Sequence, residues 1–209
     1  MKKLRNFYLS MLAVASLGLM TSCGDDNDDP QPAPPAPKEM NTFTAKILGN
    51  QQATPGSFFA STTGDVINST NSKANAAIID FGYYFSVAGD VAPDSATIAA
   101  PNDANGAKVF GAITSADYAN WTKKNATMFK DMGANEALFT AATNGDEVAA
   151  IYTNMGLTPS SSVKHLNVGD VFSFKTEAGK HGIAKVTALT KPTNTATQSV
   201  ITIDVKVEK

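Results

Sequence analysis

Cysteine occurs once in the 209 residues, at Cys23; arginine once, at Arg5; tryptophan once, at Trp121; and histidine twice, at His165 and His181. A single thiol closes no internal disulfide and builds no cysteine-based zinc site. Without arginine after Arg5, the chain has no guanidinium forks for base edges, phosphates or carboxylates, so a nucleic-acid partner is not expected. Long apolar runs are also missing. The longest, Phe7 to Met20, is about 14 residues, whereas a bilayer-spanning helix takes roughly 20.

Catalytic groupings are equally scarce. His165 and His181 stand about 16 residues apart, and nothing near them completes the three or four ligands of a zinc site. Both read as exposed or capping side chains. There is no Gly-x-Ser-x-Gly elbow to hold a serine nucleophile, and Ser160, Ser161 and Ser162 read as loop. No glycine-rich loop with a lysine is present to cradle phosphate. We therefore expect neither metal nor cofactor. A carboxylate pair for sugar cleavage needs only closeness in space, but the acids fall mainly at turns and helix caps, and no enzyme is expected.

The informative part is the N-terminus. Lys2, Lys3 and Arg5 precede the apolar run, which ends at Leu19-Met20-Thr21-Ser22-Cys23. Basic head, apolar middle and small residues before a cut site make a secretory signal over residues 1–22. Leu-Met-Thr-Ser-Cys resembles the lipobox of bacterial lipoproteins. That resemblance implies a diacylglycerol on the Cys23 thiol and, after cleavage, a further acyl chain such as palmitate on its amine. Each buried methylene contributes about 0.8 kcal/mol, and two or more chains give durable anchoring. Once Cys23 is modified, the chain has no free thiol.

Next come Cys23-Gly24-Asp25-Asp26-Asn27-Asp28-Asp29. This acidic run resembles the export tag that sends lipoproteins of the Bacteroidota to the outer face of the outer membrane. It implies that Asp25, Asp26, Asp28 and Asp29 act as a surface-export signal; the alternative is a solvated spacer. A calcium loop does not fit, because Pro30 stands where the sharp turn needs glycine and no glutamate closes the loop. Half of all the prolines lie in residues 30–37. Such a stretch favours extended polyproline II, a semi-rigid spacer. Residues 23–40 thus read as a lipidated, acidic and proline-rich tether. Without residues 1–22, 14 basic side chains face 19 acidic ones, a net charge near −5.

Residues 41–209 suit a single domain. Ile201, Ile203, Val205 and Val207 alternate with Thr202, Asp204, Lys206 and Glu208, the period of a half-buried strand. Residues 171–176 and 183–189 read as strands joined through a glycine-bearing loop, so three antiparallel strands are expected over about 168–208. Phe43, Ala45 and Ile47 read as one face of a strand, and residues 57–62 as another strand that turns at Thr63-Gly64-Asp65. Ile79, Phe81, Tyr83, Phe85 and Val87 form one face of an aromatic strand, with Tyr84 on the other face. Residues 71–77 read as a helical turn.

The middle, about 107–156, reads as helical. Ser115 is placed as the N-cap of a helix over 116–124, Asn135 caps 136–142, and Asp146 caps 147–155, with Val148, Ile151, Tyr152 and Met155 as its apolar stripe. The fold class expected is α+β: an antiparallel β-rich domain, sandwich or partly open barrel, with a central cluster of short helices.

Two sites are open on sequence. Tyr118 and Trp121 lie three residues apart: they either pack a helix onto the sheet or form an exposed platform on which a sugar ring stacks. Asp94-Ser95-Ala96 resembles the Asp-Ser/Thr-apolar site of Bacteroidota O-glycosylation, which places a glycan on Ser95 in an accessible, proline-flanked loop.

Residues 56–59, 74–81 and 168–176 resemble an uncharacterised group of Bacteroidota surface lipoproteins, and that group brings no activity with it. The expectation is an outer-membrane, surface-anchored lipoprotein acting as a non-catalytic module for a glycan or protein partner. Two alternatives stand beside it. One is a structural envelope or fimbrial-type assembly subunit, although the maturation of some fimbrial precursors by cleavage after arginine is closed here. The other is a hydrolase of unfamiliar type.

Overall fold

The C-terminal alternation produces the longest ladders among the described residues. In a computed structural model describing residues 33–50, 54–86, 95–191 and 199–209, the strands are β1 (Met40–Gly49), β2 (Phe58–Ala60), β3 (Asp65–Ile67), β4 (Phe81–Ser86), β5 (Ser95–Ala99), β6 (Met128–Asp131), β7 (Ser162–Val163), β8 (Val171–Lys175), β9 (His181–Thr190) and β10 (Val200–Glu208). The helices are α1 (Ser69–Ser72), α2 (Ala104–Gly111), α3 (Glu136–Ala141) and α4 (Gly145–Asn154). Residues 36–209 form one compact unit.

The strands make two antiparallel five-stranded sheets, ordered β1-β10-β9-β8-β6 and β3-β2-β4-β5-β7. The fold is an α+β sandwich, not a closed barrel. Ile201, Ile203, Val205 and Val207 turn inward with Phe172, Phe174 and Val186, and meet Phe59, Phe81, Tyr83 and Phe85 of the second sheet. The Phe81 ring stacks on Phe59 at 5.0 Å and meets Phe174 edge-on at 5.5 Å. Gly182 makes room for this arrangement: a Cβ there would lie 2.1 Å from the Phe174 ring.

The short helices pack on the outer faces of the two sheets. α3 and α4 cover the outer face of the first sheet, where Phe139 and Val148 pack on Val171 and Ile183. α2 and its neighbouring turns cover the outer face of the second sheet, where Phe110, Tyr118 and Trp121 pack on Phe58, Ile79 and Tyr84. Tyr84 therefore lies under a helix. Ile79, expected beside Phe81 and Tyr83, belongs to this outer cluster, because it precedes the strand. Val87 lies outside the described residues.

Three local readings are corrected. Ala45 has φ of 50°, and the β1–β10 register shifts between Phe43 and Lys46. One extra residue in a bulge sends every later side chain to the opposite face. Ile47 is therefore 45% exposed, while Leu48 is fully buried. Residues 116–124 form no helix: Asp117 takes a left-handed φ of 45° between two short 3-10 turns. The helix of that region is α2, capped by Asp103, whose carboxylate accepts from the Asn105 and Gly106 N–H groups. Finally, α4 begins before Asp146, because the Asn144 side chain accepts from the Glu147 N–H. Glu147 reaches back to accept from the Thr143 N–H at 2.6 Å, a reciprocal cap that stabilises the first turn.

Candidate functional site

The sandwich has two ends, and the registers say what lies at each. Met40 faces Glu208, Val207 faces Gly182 and Lys175 faces His181. These strand ends gather where the tether joins the domain. At the opposite end, Gly49 faces Val200, Val200 faces Thr190 and Ser86 faces Ser95. The two sheets are tied there by a hydrogen bond of 2.5 Å between the Tyr83 and Ser199 hydroxyls. Burial pushes the Tyr83 phenol up to about 12, with the Ser199 hydroxyl pulling slightly the other way.

The tether end holds a connected set of titratable groups. Glu208 is buried, with its side chain 4% exposed. Its carboxylate accepts from Lys38 Nζ at 2.8 Å, from the His181 N–H at 2.6 Å, and lies 2.9 Å from His181 Nδ1. Desolvation pushes the Glu208 carboxyl up, but the bonds from Lys38 and His181 outweigh it and hold the group below the usual carboxylate range. The His181 ring lies 5.3 Å from that of Tyr152 on α4. Lys130 Nζ sits over the same Tyr152 ring and donates to the Tyr152 carbonyl at 2.5 Å. Lys38 also joins α4: its N–H donates to Asp146 Oδ2 at 3.1 Å, and its carbonyl accepts from the Gly145 N–H at 2.8 Å. Each group is engaged with another part of the fold, so the chemistry of the set is to fix the tether and the C-terminal strand to α4. His181 is thus an orienting partner of Glu208 and not an exposed side chain. The signal that could have pointed there is the placing of His181 and Glu208 beside the start and the end of two strands expected to be antiparallel neighbours; no local pattern adds Lys38 to them.

The far end is built differently. His165, Asn167 and Val168 are exposed, and Val168 is 59% exposed, the most open large apolar residue among those described. This loop is shaped by short polar bonds. The Asn167 N–H donates to Asp170 Oδ2 at 2.7 Å, Asn167 Nδ2 donates to the His165 carbonyl, and Lys191 Nζ donates to Asn167 Oδ1 at 3.1 Å. Side chains presented on connections above a rigid sandwich form a surface that can take a partner without disturbing the core.

The other expected sites fall as follows. Cys23, Asp25, Asp26, Asp28 and Asp29 lie outside the described residues. Ser95 is not in an accessible loop. It opens β5, is fully buried, and its hydroxyl accepts from the His165 N–H at 2.9 Å, which leaves a transferase no approach in the folded chain. Asp94 lies outside the described residues. Trp121 and Tyr118 do not form a surface platform: they are 5% and 8% exposed, with ring centroids 5.1 Å apart. Trp121 Nε1 donates to the Ala116 carbonyl at 2.8 Å, and the Tyr118 hydroxyl donates to the Pro101 carbonyl. Both polar handles are thus satisfied inside the outer core.

No family model matches the sequence, and no curated protein matches it. Among solved structures, the chain is similar to a DUF4466 family protein from Parabacteroides merdae, at 14% identity and a TM-score of 0.44, over 82% of this chain and 52% of that one. The chain spans about half the length of that solved structure.

Proposed function

We propose that the chain is a lipoprotein held on the outer face of a Bacteroidota outer membrane through lipid on Cys23, and that it binds a protein partner without catalysis through the end of the sandwich opposite its tether. The observation that carries the reading is this polarity. The tether joins at Lys38, beside Glu208, while the loop bearing His165, Asn167 and Val168 leads into β8 at the end away from the tether, where the Gly169 N–H donates to the Val186 carbonyl. A module built this way directs its loop surface away from its anchor.

Two observations narrow the partner. Every described Phe, Tyr and Trp is buried except half-buried Phe43, so the described surface offers little aromatic area for stacking on a sugar. The long edge strand β1 carries a mid-strand bulge whose Ala45 N–H is capped by Asp204 Oδ1 at 2.8 Å. Bulged edges resist pairing with a further strand, which favours a binding module over strand-by-strand assembly. The test is affinity capture from intact cells with the native chain and with Val168→Asp and Lys175→Glu variants. The reading expects a partner retained by the native chain and Lys175→Glu, and lost with Val168→Asp. A glycan-array signal with no captured protein contradicts it.

A further inference from the structure

Lys38 and Glu39 lead directly into β1, so any pull on the tether enters the sandwich through the first residue of an edge strand. β1 begins at Met40, opposite Glu208, and ends at Gly49, opposite Val200. Hydrogen bonds of an antiparallel pair lie perpendicular to the strands. Tension along β1 therefore stresses the whole β1–β10 ladder at once, whereas tension across it opens one pair at a time. The start of the ladder is cross-linked by side chains. Lys38 Nζ meets Glu208 Oε1 at 2.8 Å, Lys209 Nζ meets Glu39 Oε2 at 2.7 Å, and the Lys209 N–H donates to the Glu39 carbonyl at 3.0 Å. Lys38 is also held by Gly145 and Asp146 at the start of α4. At the bulge, where the ladder would slip, Asp204 ties down the Ala45 N–H.

We propose that β1, β10 and the Lys38–Glu208 pair form a shear joint, which keeps the domain folded when a partner bound at the far end is pulled away from the anchor. The direction of pull rests on the anchored reading above; the strength of the joint does not.

The experiment is single-molecule force spectroscopy on the chain from Cys23 to Lys209, produced without lipid so that the Cys23 thiol is one handle. The second handle is Val168→Cys in one protein and a cysteine appended after Lys209 in another. Val168 is exposed, and the appended cysteine leaves the Lys209–Glu39 pair in place, so neither change touches the core or the joint, and matching circular dichroism and melting confirm this. Pulling from Cys23 to position 168 draws β1 lengthwise past β10; pulling from Cys23 to the appended cysteine peels the two strands from their shared end. Because forced unfolding follows the unfolding barrier, the lengthwise geometry is expected to need a force about twofold higher, or more, at equal loading rate. Equal forces, or a weaker lengthwise geometry, overturn the proposal. Neither outcome depends on where the protein sits in the cell, so failure of the joint and failure of the surface reading are read separately.

Discussion

Lys38 Nζ lies 2.8 Å from Glu208 Oε1, although the two residues are 170 positions apart in the chain. The pair joins the last residues of the tether to the last strand of the sandwich, and Glu208 holds His181 as well. Glu208→Ala would leave the His181 N–H and the Lys38 ammonium without their acceptor. Loss of a buried acceptor costs about 1–3 kcal/mol. Lys38→Ala removes a side chain that is 60% exposed and should cost well under half of that. Chemical denaturation of the three proteins checks the order. The pH dependence has a definite sign. The Glu208 carboxyl is held below its ordinary value in the folded chain, so its contribution is present above the unfolded carboxylate range and fades as pH falls through the lower folded value.

Asp80 is the opposite case. It is buried, and it accepts from both the Ser61 N–H at 2.8 Å and the Ser61 hydroxyl at 2.6 Å. Burial pushes its carboxyl above the ordinary range, and the Ser61 bonds offset this only in part. The folded state thus binds the proton more tightly than the unfolded one. This group's contribution is fully present in acid and declines as pH rises through its folded value. Asp80→Asn keeps an acceptor for Ser61 without the buried charge, and should be near neutral or stabilising at pH 7. Asp80→Ala orphans both Ser61 donors and should cost about 1–3 kcal/mol. Thermal melts at pH 4 and pH 7 test both variants; equal loss from Asn and Ala would mean that the charge, and not the acceptor, matters.

Ile203 is fully buried between the sheets, and Ile203→Ala should cost about 2–5 kcal/mol through lost burial and a residual cavity. Thr202 points to the other face and is half-buried, so Thr202→Ala should cost about 1 kcal/mol or less. Urea denaturation separates the two, and comparable losses would contradict the inward register of β10.

The strands most legible in sequence have a clear period or clear boundaries. β10 alternates from Ile201 to Val207, and β8 lies between the turns at Gly169 and Gly179, the second of which opens β9. β1 could be read as a strand but not to its end, because the bulge at Ala45 reverses the pattern and exchanges Ile47 for Leu48. β5 was hidden: Ser95-Ala96-Thr97-Ile98-Ala99 is small and polar, and it is buried only because sheet neighbours and α2 cover it. The same cover turns Ser95 from an accessible loop residue into a buried hydroxyl. Residues 116–124 carry a helical composition, but Lys73 and Asn120 both bond the Asp117 carboxylate in a left-handed turn. Tyr118 and Trp121 keep their closeness without the helix. The joint at Glu208 is tertiary, since nothing local in the sequence links Lys38 to residues 181 and 208.

The anchor is tested by metabolic labelling with a fatty-acid analogue. Cys23 should carry the label, and Cys23→Ala should abolish it and give soluble protein or uncleaved precursor. Replacing Asp25, Asp26, Asp28 and Asp29 by alanine should make the protein resistant to protease added to intact cells. Equal shaving of variant and parent would reduce the acidic run to a spacer.

The same labelled protein addresses Ser95. With its hydroxyl buried and bonded to the His165 N–H, Ser95 should stay unmodified, and the intact mass should match the lipidated polypeptide alone. An added glycan mass that disappears in Ser95→Ala would show that modification precedes folding.

The polarity of the module is tested most directly by photo-crosslinking in intact cells. A photoreactive side chain is placed at Val168, at the far end, or at exposed Lys175, at the tether end. The account predicts a discrete protein adduct from position 168 and none from position 175. An adduct from position 175 alone, or equal adducts from both, would contradict it.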